Sequence, residues 1–251
     1  MSRSSATTWW KDWGSPMFDP SGETLQQMMH SGGGYALQPM SFAGPPRPHS
    51  TNLPQAMKRL LDISLATVLL LVLAVPLLIA ALLIRLESSG PALFRQRRVG
   101  LDGTSFTIWK LRTMRAQSVP GDTLCQAQRG DPRVTRFGAW LRCHSLDEVP
   151  QLVNVLCGEM SLVGPRPHAP GTCAGGRPFE QISPLYMERH HMRPGMTGLA
   201  QVRGWRGETE TEDKLLRRVD SDLEYIATWS LWLDLVILAR TLAMVNTRNA
   251  Y

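Results

Sequence analysis

One run dominates the hydrophobic pattern. Residues 63–84 carry no charge, with Lys58 and Arg59 before them and Arg85, Arg95, Arg97 and Arg98 after. About 20 apolar residues suffice to span a bilayer as a helix, so a membrane helix is expected here. Pro76 falls near the middle of the run, where it removes a backbone hydrogen bond and kinks the helix. Basic residues on both flanks draw both ends toward the cytoplasm. A straight spanning helix satisfies the length. A bent, re-entrant one satisfies both flanks, provided that protein satisfies the backbone at the bend. On these grounds both paths stay open.

Beyond that run the periods shorten. Phe106, Ile108 and Leu111 among polar residues, after a Gly-bounded turn at 100–103, predict a short strand or hairpin. Residues 116–130 are polar and read as a loop. A helix is expected around Trp140, Leu141 and Arg142, and another from the helical spacing of Leu146, Val149, Leu152, Val153 and Leu156. Residues 168–185 read as loop and 185–192 as a short helix. From Glu210 the pattern is helical, through Leu215, Val219, Leu223 and Ile226. A last, mostly apolar segment from Trp229 to Val245 has a narrow polar stripe of Ser230, Asp234 and Thr241. Such a segment suits a helix lying in the membrane plane and equally a buried helix closing the core.

Residues 1–55 lack periodicity. Gly32-Gly33-Gly34 and Pro45-Pro46 break them up, and Trp9, Trp10 and Trp13 suit local packing or a lipid interface. No signal-peptide pattern is visible there. This arm carries three basic and three acidic residues, so the net charge of +6 resides in the rest of the chain. Seven basic against two acidic residues in 85–115 form a cationic collar. It fits anionic lipid headgroups or, through Lys110 and Arg112, a diphosphate. The four cysteines form no CxxC pair and read as reduced thiols.

The chemistry concentrates at Arg142-Cys143-His144-Ser145-Leu146-Asp147-Glu148-Val149-Pro150. Ser145 to Glu148 matches a capping box. Pro150 weakens that reading, because proline clashes beyond the first helical turn. The helix is expected to begin nearer residues 147–149, with the acids at its opening, where backbone N–H groups attract anions. A carboxylate beside arginine stays ionised and can act as a nucleophile. Charge on a diphosphate would be met by arginines and hydrated magnesium.

Six motifs occur in order: Lys58-Arg59-x-x-Asp62, Phe94-Arg95-Gln96-x-Arg98-Val99-Gly100, Lys110-x-Arg112-Thr113-Met114, Ser145-Leu146-Asp147-Glu148-x-Pro150-Gln151-Leu152, Gly164-Pro165-Arg166-Pro167 and Arg193-Pro194-Gly195-x-Thr197-Gly198-x-Ala200-Gln201-Val202. Together they resemble the bacterial sugar transferases, the monotopic phosphoglycosyl transferases. The resemblance covers residues 57–251. It implies transfer of a hexose-1-phosphate from a UDP-sugar to undecaprenyl phosphate through a phosphosugar covalently held on an aspartate, with Mg2+ and release of UMP. Carried over, Asp147 is the nucleophile and Glu148 binds the metal. Arg142 steadies phosphate, and Arg166, Arg193, Lys110, Arg112 and Gln201 line the substrate pocket.

The resemblance also implies a re-entrant helix-break-helix at Pro76, although Val75 stands where relatives often carry serine. The expected fold class is mainly α with a small β-hairpin (α+β), monotopic, with interfacial amphipathic helices. Its parts are an arm (1–55), the membrane helix (56–90) and a catalytic domain (91–251) on the cytoplasmic face of the inner membrane. The tail looks like the exopolysaccharide branch, whose usual donors are UDP-glucose or UDP-galactose, in its short, minimal form. Membrane lipid is an expected partner, nucleic acid is not, and homodimerisation is left open. The rival reading is a catalytically inactive membrane adaptor of a polysaccharide assembly complex.

Overall fold

The computed structural model describes residues 52–115 and 131–246. The three arm tryptophans, the 116–130 loop and Cys125 lie outside the described residues. Helix α1 runs Asn52–Glu87, 36 residues, with Pro76 inside. At Pro76 the helical assignment continues, so the predicted break does not divide α1 into two elements. It is the one helix among the described residues long and apolar enough to cross a membrane. Its middle is bare: Leu71 is 72% exposed, with Val72, Val75 and Leu78 similarly open.

Both ends of α1 are moored to the rest of the chain. At the first end Arg59 donates to the carbonyls of Val155 (2.6 Å) and Leu156 (2.9 Å). Asp62, buried, accepts from Ser161 Oγ (2.8 Å) and Leu162 N (3.0 Å). At the other end Ala80 and Ile84 pack on Leu111 and Leu141, and Arg112 donates to the carbonyls of Ile84, Ser88 and Ser89. The last carbonyls of a helix have no partner within it, and Arg112 supplies one.

The predicted hairpin forms from β1 (Leu93–Val99) and β2 (Ser105–Leu111), antiparallel. Helix α2 (Arg136–Cys143) and helix α3 (Gln151–Cys157) flank it. Asn154 of α3 ties down β2, accepting from Trp109 N (3.2 Å) and donating to Thr107 O (2.7 Å). Ile108, Leu152, Val155 and Met160 fill the core between them with Tyr225 and Ile237.

Two further small sheets went unforeseen. A short parallel pair joins β3 (Ser161–Val163) to β6 (Gly195–Thr197), bringing Gly164-Pro165-Arg166 against Arg193-Pro194-Gly195. A Cβ on Gly195 would strike the backbone of Gly164, and one on Gly164 the carbonyl of Arg193. The two segments approach as closely as glycine permits. Within the expected loop, β4 (Cys173–Ala174) pairs with β5 (Arg177–Pro178), and a single turn of helix, α4 (Phe179–Ile182), follows. A 3₁₀ segment (Tyr186–His191) takes the place of the predicted short helix.

After α5 (Leu199–Val202), helices α6 (Glu212–Thr228) and α7 (Leu231–Asn246) close the fold. Of the polar stripe, Asp234 and Thr241 face inward, while Ser230, just ahead of α7, is exposed. Asp234, 1% exposed, takes Lys58 Nζ at 2.7 Å, Tyr225 Oη at 2.6 Å and Trp229 Nε1 at 3.3 Å. Thr241 meets Thr197, Oγ1 to Oγ1, at 2.7 Å. The outer face is apolar, with Trp232 72% and Leu242 73% exposed. This is the reverse of a water-facing helix.

Candidate active site

Asp147 and Glu148 sit on a 3₁₀ turn, Leu146–Glu148, between α2 and α3. Ser145, which opens the turn, has φ 55° and ψ 21°, and its side chain makes no capping bond. This left-handed conformation is costly for a residue with a Cβ. The capping box read from the sequence therefore does not form. Pro150 is the N-cap of α3, where its missing N–H costs nothing. The acids stand one turn ahead of the helix.

Arg142 is brought to this turn by α2. Gly138 lies so close to Thr113 that a Cβ would strike its carbonyl, and Arg142 Nε donates to Thr113 Oγ1 at 2.8 Å. Lys110, near the end of β2, reaches Glu148 Oε1 at 2.7 Å. Arg166 forks onto the same carboxylate, Nη1 to Oε2 at 3.0 Å and Nη2 to Oε1. Arg206 reaches Ser145 Oγ at 3.4 Å.

The two carboxyls diverge in proton affinity. Asp147 is buried, and desolvation together with the charge of Glu148 raises its pKa from 3.8 to about 6, against the pull of Lys110, Arg142 and Arg166. Burial would raise Glu148 as well, but Arg166 and Lys110 outweigh it and hold Glu148 well below the usual range. The pair presents one permanently ionised carboxylate and one that titrates near neutrality.

Behind Arg166 lies a second layer of cations. Arg98 donates to Pro167 O (3.3 Å) and Gln96 Oε1 (2.6 Å). Burial and Arg166 lower the pKa of Arg98 to about 10, and that of Arg218 similarly. Arg189 is fully buried. It donates to Asp222 Oδ2 from Nε (3.0 Å) and Nη2 (2.6 Å), and from Nη2 to the carbonyl of Arg166 (2.7 Å). An uncompensated buried cation is expensive, and Arg189 is compensated by Asp222.

Of the residues expected from sequence, Asp147, Glu148, Lys110, Arg142 and Arg166 come together. Gln201 lines the cleft beyond Arg166. Arg193 is exposed beside Pro194. Arg112 does not join the site. It is buried and spent on the end of α1, because β2 ends at Leu111 and strand alternation no longer aims the next side chain. Sequence reasoning missed Arg98, Arg206, Arg218 and the Arg189–Asp222 pair. Charged residues at helical spacing on an otherwise apolar face, Arg218 and Asp222 among Leu215, Val219 and Tyr225, were the available signal.

Among the described residues no three metal-ligating side chains cluster. Mg2+ is commonly held by one or two carboxylates together with substrate phosphates. Adjacent Asp147 and Glu148 fit that pattern, because a cation would relieve the mutual repulsion that raises Asp147.

The bacterial sugar transferase family profile matches residues 53–248. A UDP-glucose:undecaprenyl-phosphate glucose-1-phosphate transferase of Caulobacter vibrioides is 54% identical over 195 residues, 77% of this chain and 72% of that protein. An Escherichia coli K12 protein of the same name is 48% identical over 74% of this chain but only 39% of its own length. The exopolysaccharide production protein PSS of Rhizobium leguminosarum is 47% identical, covering 77% of this chain and 96% of that one. This chain also spans only 37% of a Komagataeibacter xylinus relative. The chain belongs to the bacterial sugar transferase family and is a transferase enzyme.

Proposed function

We propose that this transferase moves a hexose-1-phosphate from a UDP-sugar to undecaprenyl phosphate in two displacements at Asp147. In the first, a carboxylate oxygen of Asp147 attacks the sugar-bearing phosphorus. That O–P bond forms as the bond to the bridging oxygen breaks, and UMP leaves with the electron pair. In the second, a phosphate oxygen of the lipid attacks the same phosphorus, the bond to Asp147 breaks, and the carboxylate is restored. The observation that carries this reading is the split between the two carboxyls. Glu148 is held ionised by Lys110 and Arg166, while Asp147, buried among cations, makes no ion pair among the described residues. Arg142 and Arg166 would neutralise charge on the phosphoryl oxygens. Glu148, with Asp147, would hold Mg2+, which supplies Lewis-acid stabilisation of the diphosphate.

The relatives' names support the donor and acceptor. The two moorings of α1 support a re-entrant path. A helix crossing about 30 Å of hydrocarbon would part its ends to opposite faces, yet Arg59 and Arg112 bind opposite ends of α1 to one compact unit. The apolar outer face of α7 supports an interfacial seat, on the cytoplasmic side of the inner membrane, where UDP-sugars are available. Release of UMP from UDP-glucose or UDP-galactose in the presence of undecaprenyl phosphate, with a labelled phosphosugar trapped on the protein and lost in Asp147→Asn, tests this. Trapping that persists in Asp147→Asn would refute the nucleophile.

A further inference from the structure

Arg206 reaches the acidic turn from the connection between α5 and α6. It stands in Gly204-Trp205-Arg206-Gly207, whose two glycines take left-handed φ of 93° and 76°, values that a side chain makes costly. This loop is held on both sides of Arg206. Just before it, Arg203 meets Glu224 of α6 through both Nη atoms, each at 2.6 Å. Trp205 N donates to Ala200 O at 3.0 Å, and the guanidinium carbon of Arg217 lies 5.2 Å from the centre of the Trp205 ring. After it, Gly207 O accepts from Arg218 Nη2 at 2.6 Å.

The donors of Arg206 are nearly unspent. A guanidinium carries five N–H donors. Among the described residues Arg206 makes one bond, from Nη2 to Ser145 Oγ at 3.4 Å, and no ion pair. That contact is longer than the usual ~3 Å, and is weak reason to hold an arginine there. The neighbouring cations are committed: Lys110 and Arg166 to Glu148, Arg189 to Asp222, Arg218 to Thr209 and Gly207. Arg206 is half-buried. Burial and the charge of Arg166 lower its pKa, and Glu148, already met by two cations, offsets only part of this. A half-buried cation beside a second cation, with no acid of its own, opposes folding. A bound anion would remove that opposition.

We infer that Arg206 binds a phosphate of the substrate beside Asp147, its guanidinium forking onto phosphoryl oxygens of the donor's diphosphate or of the lipid acceptor's phosphate. The inference rests on the reaction proposed above and adds a cation to it. Phosphate suits the position. The planar fork matches two phosphoryl oxygens at once, and the anion supplies the charge that Arg206 lacks. Ser145 opens the Leu146–Glu148 turn, so the residue that Arg206 touches stands two positions before the carboxyl that attacks.

The test uses the full chain in detergent micelles, with Arg206→Gln and Arg206→Lys beside the parent. Labelling of the protein by a UDP-sugar and discharge of the label to undecaprenyl phosphate are timed separately. Calorimetry reads the binding of UDP and of a short-chain prenyl phosphate. Arg206→Gln should melt no lower than the parent. It should slow at least one half-reaction roughly tenfold or more, as expected for a lost charged hydrogen bond, and weaken the matching ligand. Slow labelling with weak UDP binding would support the inference with the donor as the source of the phosphate. Slow discharge with weak prenyl phosphate binding would support it with the lipid as the source. Arg206→Lys, which keeps the charge and loses the fork, should recover part of the loss. Both half-reactions and both affinities at parent values in Arg206→Gln would overturn the inference. So would a lower melting temperature with parent rates in the folded fraction, which would leave Arg206 a prop for Ser145. A parent chain that releases no UMP from any UDP-sugar would sink the proposed reaction. Binding would then decide Arg206 alone: a tenfold gap between parent and Arg206→Gln with either ligand supports it, and equal binding of both overturns it.

Discussion

Lys110 Nζ meets Glu148 Oε1 at 2.7 Å, both side chains half-buried. The contact joins the end of the hairpin to the acidic turn and, with the Arg166 fork on the same carboxylate, holds Glu148 as an anion beside Asp147. The proton affinity of Asp147 is thus partly set by a residue 37 positions earlier that does not pair with it.

Turnover should fall as pH drops through about 6, where Asp147 takes up its proton and ceases to be a nucleophile. Single-turnover labelling across pH 5 to 8 measures this limb.

Asp147→Asn should abolish labelling and stabilise the protein. The carboxyl is raised in the folded chain from 3.8 to about 6, so its ionisation opposes folding, by up to about 3 kcal/mol. The cost is full above pH 6 and vanishes below the unfolded value of 3.8. Melting temperatures of variant and parent should separate at pH 7.5 and converge near pH 4.

Burial raises Asp147 most and the Glu148 charge adds to it; Glu148→Gln removes that second contribution and strands Lys110 and Arg166. The acid limb of the remaining activity should move to lower pH, with turnover down by about 10²-fold and stability down by about 2 kcal/mol. An unmoved limb would deny Glu148 its part in the shift.

Arg112→Ala should act on stability alone. It strips the end of α1 of its carbonyl partners and should cost about 3 kcal/mol, with KM for the UDP-sugar nearly unchanged in the folded fraction. A large rise in KM at an unchanged melting temperature would return Arg112 to the substrate pocket.

Ser145→Gly should be tolerated and Ser145→Val should not. The left-handed backbone at φ 55° suits glycine and penalises a β-branched side chain by about 1–2 kcal/mol. Denaturant midpoints of the two variants give the comparison.

What the sequence made legible was local. Asp147, Glu148 and Pro150 lie within four residues, and Arg166 follows within a motif whose glycine and prolines announce a tight turn. Their proximity needed no knowledge of the fold. Lys110 and Arg112 looked alike, yet the strand ends at Leu111 and only Lys110 faces the acids. Arg189 and Asp222 are 33 residues apart, and no period or motif links them. Their pairing depends on how α6 lies against the 3₁₀ segment. The stripe on α7 was visible, but which way it faced was set by Lys58, 176 residues away.

Because one body grips α1 near both of its ends, the apolar midsection works as a fixed-length keel. On the proposed re-entrant path, the height of Asp147 over the lipid would be dictated by protein geometry, and stretching or thinning the opposite leaflet would leave it where it is. A polyprenyl carrier, whose phosphate rides at the level of the headgroups, would meet the enzyme at one constant depth in membranes of differing thickness.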